Sequence, residues 1–212
     1  DKICLPKTVS KDVKVLTKQE QKRLEQVIEA ENKENDIGIL ICLYTGIRIG
    51  ELCALKWENI NLDRKIMTID KTMYSVQSND GKCKTKIILS SPKSVNSERD
   101  IPIAELLSEK LSKIQKSEGF VINRNGKYIE PAVYSRRYKK LLEKAGIEYM
   151  MFHSTRHTFS VRARELGVDV QTLSEILGHS SVSTTLNFYG HSLPEHKHNQ
   201  MERIGGLFSQ SK

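Results

Sequence analysis

Apolar and polar residues alternate along the chain in patterns that predict helices first. The capping box Thr17-x-x-Glu20 opens a helix that runs to about Asn32. The next stretch, 35–44, is almost entirely apolar and predicts a buried helix. Gly46 follows it and fits the left-handed position that ends many helices. Two helices, one amphipathic and one buried, are therefore expected in the first quarter of the chain.

The middle of the chain changes to the two-residue period of strands. Residues 66–74 and 84–89 are strand-like, and Asn79-Asp80-Gly81 between them is typical of a hairpin turn. A third strand is predicted over 99–103, and we expect the three to form one small antiparallel sheet. A short buried strand is predicted at 120–122.

Helical signals return in the second half. The predicted helices begin at a proline or a small polar residue and most end at a glycine. They run from about 104 to 117, 131 to 145, 154 to 166, 169 to 177 and 183 to 189, with Ser154, Asp169 and Ser183 as caps. Gly50 allows another segment to approach closely, and a short helix is predicted directly after it, over 51–55. The predicted fold class is mainly α with a small antiparallel β-sheet, an α+β arrangement.

Composition narrows the choice of partner and compartment. The 212 residues carry a net charge of +8, which favours a polyanionic partner. The longest apolar run, IGILICLY, is too short to span a membrane, and we expect no membrane association. The four cysteines form no C-x-x-C pair and predict reduced thiols in a cytoplasmic protein.

Candidate chemistry is concentrated between residues 151 and 189. This stretch contains His153, Arg156, His157, His179 and Tyr189. Arginine offers a planar fork of donors that suits phosphate oxygens, and nearby cations favour the phenolate form of a tyrosine. The pattern predicts a phosphate held by positive charge and attacked by a tyrosine.

A zinc site is the alternative for the two histidines four residues apart. Ser154 follows His153, so the general-base glutamate of the H-E-x-x-H pattern is missing. Arg156 would also place a positive charge against the metal. We therefore predict no metal at His153 and His157.

Further basic residues lie outside this stretch. Arg48 stands between two isoleucines at a tight turn, and Glu51, three residues later, could orient it. Lys93 is either a functional cation or one more exposed lysine. The predicted helix 131–145 carries a basic stripe that is either a solvated face or a phosphate-contacting surface: Arg136, Arg137, Lys139 and Lys140.

Four motifs in this order resemble the tyrosine recombinases, also called the phage integrase family. They are TGIRIGEL around Arg48, SPKSVNSERDIPI around Lys93, HSTRH at 153–157, and LGHSSVSTTLNFYGH through His179 and Tyr189. The resemblance runs from about residue 17 to 192. The last motif looks like those of integrases of Gram-positive conjugative transposons.

The resemblance implies a role for each matching residue. Tyr189 would attack the scissile phosphate of DNA and form a 3′-phosphotyrosyl link. Arg48 and Arg156 would hold the non-bridging oxygens, and Lys93 would protonate the departing 5′ oxygen. His153 would act as general base and His179 would bind the phosphate. Two residues would support the site: Glu51, which would hold Arg48, and His157.

The resemblance also implies partners and domains. The partner would be double-stranded DNA, with no metal and no cofactor, and the protein would act as a homo-tetramer with an accessory directionality factor near the bacterial nucleoid. Residues 1–16 would be a lead-in from an absent upstream domain, since the chain begins at Asp1 rather than Met. Residues 17–192 would form the catalytic domain, and 193–212 a tail exchanged between protomers.

The expected function is integration and excision of a mobile element. The alternatives are a resolvase or chromosome-dimer recombinase, a type IB topoisomerase-like activity, and a catalytically silent DNA-binding relative. The complete set of six predicted site residues argues against the silent relative.

Overall fold

The computed structural model describes residues 14–77, 85–90, 98–179, 181 and 201–202. Within them the fold is mainly helical with small antiparallel sheets, as predicted. The helices are α1 (Lys18–Glu31), α2 (Ile37–Thr45), α3 (Ile49–Ala54), α4 (Glu105–Ser112), α5 (Pro131–Lys144), α6 (Ser154–Glu165) and α7 (Val170–Leu177). The strands are β1 (Ile60–Asn61), β2 (Ile66–Ile69), β3 (Thr72–Gln77), β4 (Thr85–Ser90), β5 (Arg99–Pro102), β6 (Asn123–Arg124) and β7 (Lys127–Tyr128).

Local signals placed the first helices correctly. Thr17 and Glu20 form the predicted reciprocal capping box at the start of α1. Helix α2 is buried almost throughout and ends at Gly46, whose φ is +69°. Because α2 is apolar on all sides, it is packed between other elements rather than at the surface.

The prediction of one three-stranded sheet was wrong in its pairing. The first predicted strand is broken at 70–71, and its two halves, β2 and β3, join different sheets. Strand β5 pairs with β2 in a three-stranded sheet that also contains β1, whereas β3 and β4 form a separate hairpin. Strand pairing joins residues distant in sequence, and a two-residue period does not specify the partner. The hairpin turn 79–81 lies outside the described residues.

Other boundaries also shifted. Helix α4 ends at Ser112 rather than near 117. The predicted strand at 120–122 is a single bridge from Phe120 to Lys56, followed by buried Val121 and Ile122. Asn125 and Gly126 connect β6 to β7.

Two packed groups hold the helices together. The main core surrounds α2, and the rings of Tyr134 and Tyr138 pack edge-on against Phe152 within it. A small second cluster joins α6 to α7 through Ala163, Leu173 and Leu177. Among the residues described, helix α7 is therefore held by only a few buried apolar contacts.

The segment before α1 is attached to α6. The Leu16 side chain is buried, and its N–H donates to Thr158 Oγ1 at 3.0 Å. Arg162 donates from Nη2 to the Leu16 carbonyl at 2.7 Å. The chain is thus fixed against α6 before the first helix begins.

Across these same residues, no helix combines the length and the apolar character that crossing a membrane requires.

Candidate active site

The structure describes six of the eight residues predicted for the site. They are Arg48, Glu51, His153, Arg156, His157 and His179. Lys93 and Tyr189 lie outside the described residues, so their assignment rests on the sequence motifs. The short helix predicted at 183–189 lies outside them as well.

The predicted contact between Arg48 and Glu51 is present. Arg48 precedes α3 as its N-cap residue, and Glu51 is the third residue of that helix. Glu51 accepts the Arg48 backbone N–H at Oε2 (2.8 Å) and the Arg48 Nη1 at Oε1 (2.9 Å). The Arg48 side chain keeps 38% of its surface exposed, whereas Glu51 keeps 3%. A buried carboxylate thus orients a partly exposed guanidinium.

Arg156 lies in the first turn of α6, as predicted, and is almost fully buried. Its Nη1 donates to the Gly46 carbonyl and its Nη2 to the Leu177 carbonyl, both at 2.8 Å. A Cβ at Gly46 would lie 2.5 Å from Phe159 Cδ1, so the end of α2 approaches α6 closely. Arg156 therefore ties the end of α2 to the end of α7.

Ser154 does not cap α6 with its side chain, contrary to the sequence prediction. His153 occupies the N-cap position with helical backbone angles, and no side-chain cap hydrogen bond is formed there. The Ser154 hydroxyl lies 3.1 Å from the Tyr138 hydroxyl instead. This buried contact competes with the backbone for the serine oxygen.

Three arginines donate hydrogen bonds to main-chain carbonyls at the C-terminal end of α7. Besides the Arg156 bond to Leu177, Arg99 Nε donates to the Ile176 carbonyl at 2.6 Å, and Arg48 Nη2 to the Gly178 carbonyl at 3.3 Å. The C-terminal end of a helix carries partial negative charge, which offsets the repulsion between neighbouring cations. Three segments distant in sequence meet at this helix end.

Arg99 is the site contact that sequence reasoning missed. Its side chain is 7% exposed and donates to both oxygens of Glu51, at 3.2 Å to Oε1 and 3.0 Å to Oε2. The alternation of strand residues could have indicated it. Arg99 is two residues from Ile101, so the two side chains lie on the same, buried face of β5. An arginine in an inward position of a strand needs a buried partner.

The histidines lie beside this arginine cluster. Burial, then the neighbouring His157 and Arg156, lowers the pKa of His153 to about 4. Burial, then Arg156 and Arg48, likewise lowers the pKa of His179 to about 4. Both imidazoles are therefore neutral near pH 7, and a neutral imidazole carries one nitrogen that accepts a proton.

His157 packs against His153. The two rings meet edge to face, with centroids 4.6 Å apart. Burial and then Arg156 lower the pKa of His157. No group of three His, Cys, Asp or Glu side chains positioned to hold a metal ion occurs within the described part of the chain.

The basic stripe on α5 divides into two parts. Arg137 is not part of a solvated or phosphate-contacting face, because it donates from Nε to buried Asp36 at 2.8 Å and from Nη2 to Glu31 at 3.2 Å. Arg136, Lys139 and Lys140 are exposed. Lys139 lies over the ring of Tyr149.

The model of the phage integrase family matches residues 14–196. The chain belongs to the phage integrase family. The described site residues all lie inside the matched range, and so do Lys93 and Tyr189.

Relatives and solved structures agree with this assignment. A XerC-like tyrosine recombinase of Caldanaerobacter subterraneus is 30% identical, covering 98% of this chain and 59% of the relative. The transposase of transposon Tn916 of Enterococcus faecalis is 26% identical, covering 94% of this chain and 52% of the relative. The chain therefore spans between half and two thirds of the length of these relatives.

The fold is also similar to that of a solved transposon integrase. The Tn1549 integrase, solved in complex with a circular intermediate DNA, superposes with a TM-score of 0.74 at 22% identity. The match covers 92% of this chain and 67% of that chain. At this identity the likeness establishes the phage integrase fold.

Proposed function

We propose that this chain is the DNA-cleaving and rejoining part of a tyrosine recombinase that integrates and excises a mobile element. The observation that carries the proposal is the meeting of Arg48, Arg156, His153 and His179 beside the C-terminal end of α7. Among the described residues, Arg48, Arg99 and Arg156 meet there with one carboxylate, Glu51, and the excess positive charge favours a phosphate. Such preorganised charge stabilises a crowded phosphate transition state.

The proposed reaction is a transfer of the phosphate between two oxygens. The Tyr189 oxygen attacks the phosphorus, a 3′-phosphotyrosyl bond forms, and the bond to the 5′ oxygen breaks. His153 takes the phenol proton, and Lys93 supplies a proton to the 5′ oxygen. Arg48, Arg156 and His179 bind the non-bridging oxygens. A 5′ hydroxyl of a partner strand then reverses the step, because the phosphotyrosine keeps the bond energy.

The electrostatics support the role of His153 as a base. A base must reach the reaction unprotonated, and the pKa of His153, lowered to about 4 by burial first and its cationic neighbours second, keeps it so at neutral pH. A negatively charged phosphate would raise this pKa and so strengthen the imidazole as a proton acceptor.

The mobile-element role is supported by the relatives from transposons Tn916 and Tn1549. We further propose duplex DNA as the partner, a homo-tetramer on two duplexes, an accessory directionality factor, and a tail at 193–212 that docks on a neighbouring protomer. Residues 17–192 would form the catalytic domain of a cytoplasmic protein that acts on nucleoid DNA.

The test of the nucleophile is a suicide substrate. Full-length protein is incubated with a duplex carrying its attachment site and a nick near the scissile phosphate, so that the leaving fragment diffuses away. We expect a covalent protein–DNA complex on a denaturing gel, lost in Tyr189→Phe while DNA binding persists. Tyr149→Phe, which alters an exposed tyrosine, is the matched control and should retain the complex. A complex that survives Tyr189→Phe would refute the assignment.

Lys93 is tested by changing the leaving group. We expect Lys93→Met to slow cleavage strongly, because the 5′ alkoxide leaves poorly without a proton. A 5′-bridging sulfur leaves without protonation and should largely restore the rate of that variant. Lys86→Met on β4 is the control and should cleave both substrates like the unaltered protein. Failure of the sulfur substrate to restore the rate would remove Lys93 as the acid.

A further inference from the structure

Arg99 contacts the proposed site from a strand that the reaction scheme does not use. It begins β5, where it pairs with Ile69 of β2 at the end of the three-stranded sheet. In sequence it is 48 residues from Glu51 and 77 from Ile176, and it donates hydrogen bonds to both. One side chain therefore links the sheet, α3 and α7.

The bonds to Glu51 form a fork. Each carboxylate oxygen receives one bond from Arg99 and one from Arg48: Oε1 from the two Nη1 groups, and Oε2 from Arg99 Nη2 and the Arg48 backbone N–H. A two-point contact from a planar guanidinium fixes the plane of the carboxylate as well as its position. Arg48 is then held by a carboxylate that cannot rotate.

Charge explains why Glu51 needs this partner. Burial raises the pKa of Glu51, but Arg99 first and Arg48 second lower it more, and the net shift is downward. The Arg48 side chain is more than a third exposed, so solvent screens its charge. The buried Arg99 is therefore the permanent counter-charge.

The contact with α7 is equally close. Gly178 lies against the face of the Arg99 guanidinium, and a Cβ added there would meet Arg99 Nη1 at 2.7 Å. The Gly178 carbonyl accepts from Arg48, and the next residue is His179. Arg99 thus sets the position of the helix end from which His179 projects.

We propose that Arg99 is a positioning residue for DNA strand cleavage, which fixes both the Glu51 carboxylate that holds Arg48 and the helix end that precedes His179. It touches no reacting atom in this scheme. The inference rests on the proposed function, because it assigns Arg99 a task only if Arg48 acts on a scissile phosphate.

The test is single-turnover cleavage of the suicide duplex by full-length protein carrying Arg99→Lys. Lysine keeps the charge but loses the planar fork. We expect cleavage to slow about 10- to 100-fold, the range that small misplacements of catalytic groups produce, with duplex affinity unchanged. Equal cleavage rates for Arg99→Lys and the unaltered protein would overturn the proposal.

Arg137→Lys is the matched control. Arg137 also clamps a buried carboxylate, Asp36, at the opposite end of α2 from Gly46. A nine-residue helix separates these ends by roughly 13 Å. We expect both lysine variants to be less stable to unfolding than the unaltered protein. Arg137→Lys should nevertheless cleave at the unaltered rate.

A methylphosphonate at the scissile position separates positioning from general damage. It removes the charge of one non-bridging oxygen, so the loss caused by Arg48→Ala should shrink on this substrate. If Arg99 acts through Arg48, the loss caused by Arg99→Lys shrinks in parallel. A loss of equal size on both substrates would indicate general structural damage and overturn the proposal.

A second variant covers the case in which Arg99→Lys does not fold. Glu51→Gln keeps the shape of the carboxylate and removes its charge, and it should slow cleavage with the same relief on the methylphosphonate. Where both variants fold, the double variant should cleave no more slowly than the slower single variant, because both changes act through Arg48. If the two losses of rate add in free energy, Arg99 and Glu51 act independently, which would count against the proposal. If the unaltered protein forms no Tyr189-dependent complex, the proposed function fails instead.

Discussion

At the scale of single residues, the site combines fixed cations with neutral imidazoles. His153 and His179 lie beside the arginines, and their pKa values are lowered to about 4, chiefly by burial. The charge of the site is therefore constant around neutral pH. At a pH well below the ordinary pKa of histidine, protonation of these two imidazoles would add positive charge beside the arginines.

We predict that the folded state loses stability as pH falls from about 6.5 towards 4. In that window the unfolded chain binds protons at His153 and His179 that the folded chain does not, so acid favours unfolding. Urea unfolding followed at pH 7.5, 6 and 5 measures the effect. His153→Gln and His179→Gln together should flatten the pH dependence, and an unchanged slope in that double variant would contradict the pKa assignment.

At the scale of elements, the site residues are held mainly by hydrogen bonds to the ends of helices. Helix α2 ends at Gly46 and α7 at Gly178, and both glycines accept a guanidinium bond in the left-handed conformation. Helix α7 adds only a small apolar cluster to these bonds. Its orientation therefore depends on hydrogen bonds to its terminus.

Two glycines with the same φ of +63° allow this dependence to be measured. Gly146 and Gly178 each follow a helix, but a Cβ at Gly146 meets nothing within 4 Å, whereas one at Gly178 meets Arg99. We expect Gly146→Ala to cost about 1–2 kcal/mol of unfolding free energy from backbone strain alone. Gly178→Ala should cost more and should also slow cleavage. Urea unfolding and the suicide-substrate assay test this, and equal costs with normal cleavage would contradict it.

Sequence predicted the parts of these elements that depend on neighbours in the chain. The three-residue spacing of Arg48 and Glu51 predicted their contact, and Asp169 caps α7 as expected, accepting the Thr172 N–H. The pairing of β5 with β2 and the contact between Arg99 and Glu51 were missed. Both join residues far apart in sequence: the inward phase of Arg99 indicates that it needs a buried partner, but not which residue supplies it.

At the scale of the whole molecule, the positive charge has two uses. Some basic side chains are internal partners, as Arg137 is for Asp36, and others, including Arg136 and Lys140, face solvent on the same helix. Only side chains of the second kind can exchange counterions for DNA phosphates. The net charge of +8 therefore does not measure the charge that is available to a polyanionic partner.

We predict that α5 contributes to non-specific DNA affinity through its exposed cations. Arg136→Ala and Lys140→Ala should each reduce the slope of log affinity against log salt by about 1, because each removes one phosphate contact. Arg137→Lys should leave that slope unchanged. Fluorescence anisotropy with a labelled duplex of unrelated sequence measures the slopes. Unchanged slopes in Arg136→Ala and Lys140→Ala would show that this face of α5 does not contact DNA.

The partners of the three arginines at the end of α7 are main-chain carbonyls, which no substitution removes. Ile176 is half-buried, and its side chain can vary while its carbonyl still accepts the bond from Arg99. Inserting or deleting one residue within α7 would instead rotate its last turn by about 100°. All three carbonyls would then leave their donors together. Among natural variants, α7 should therefore tolerate changes of residue far better than changes of length.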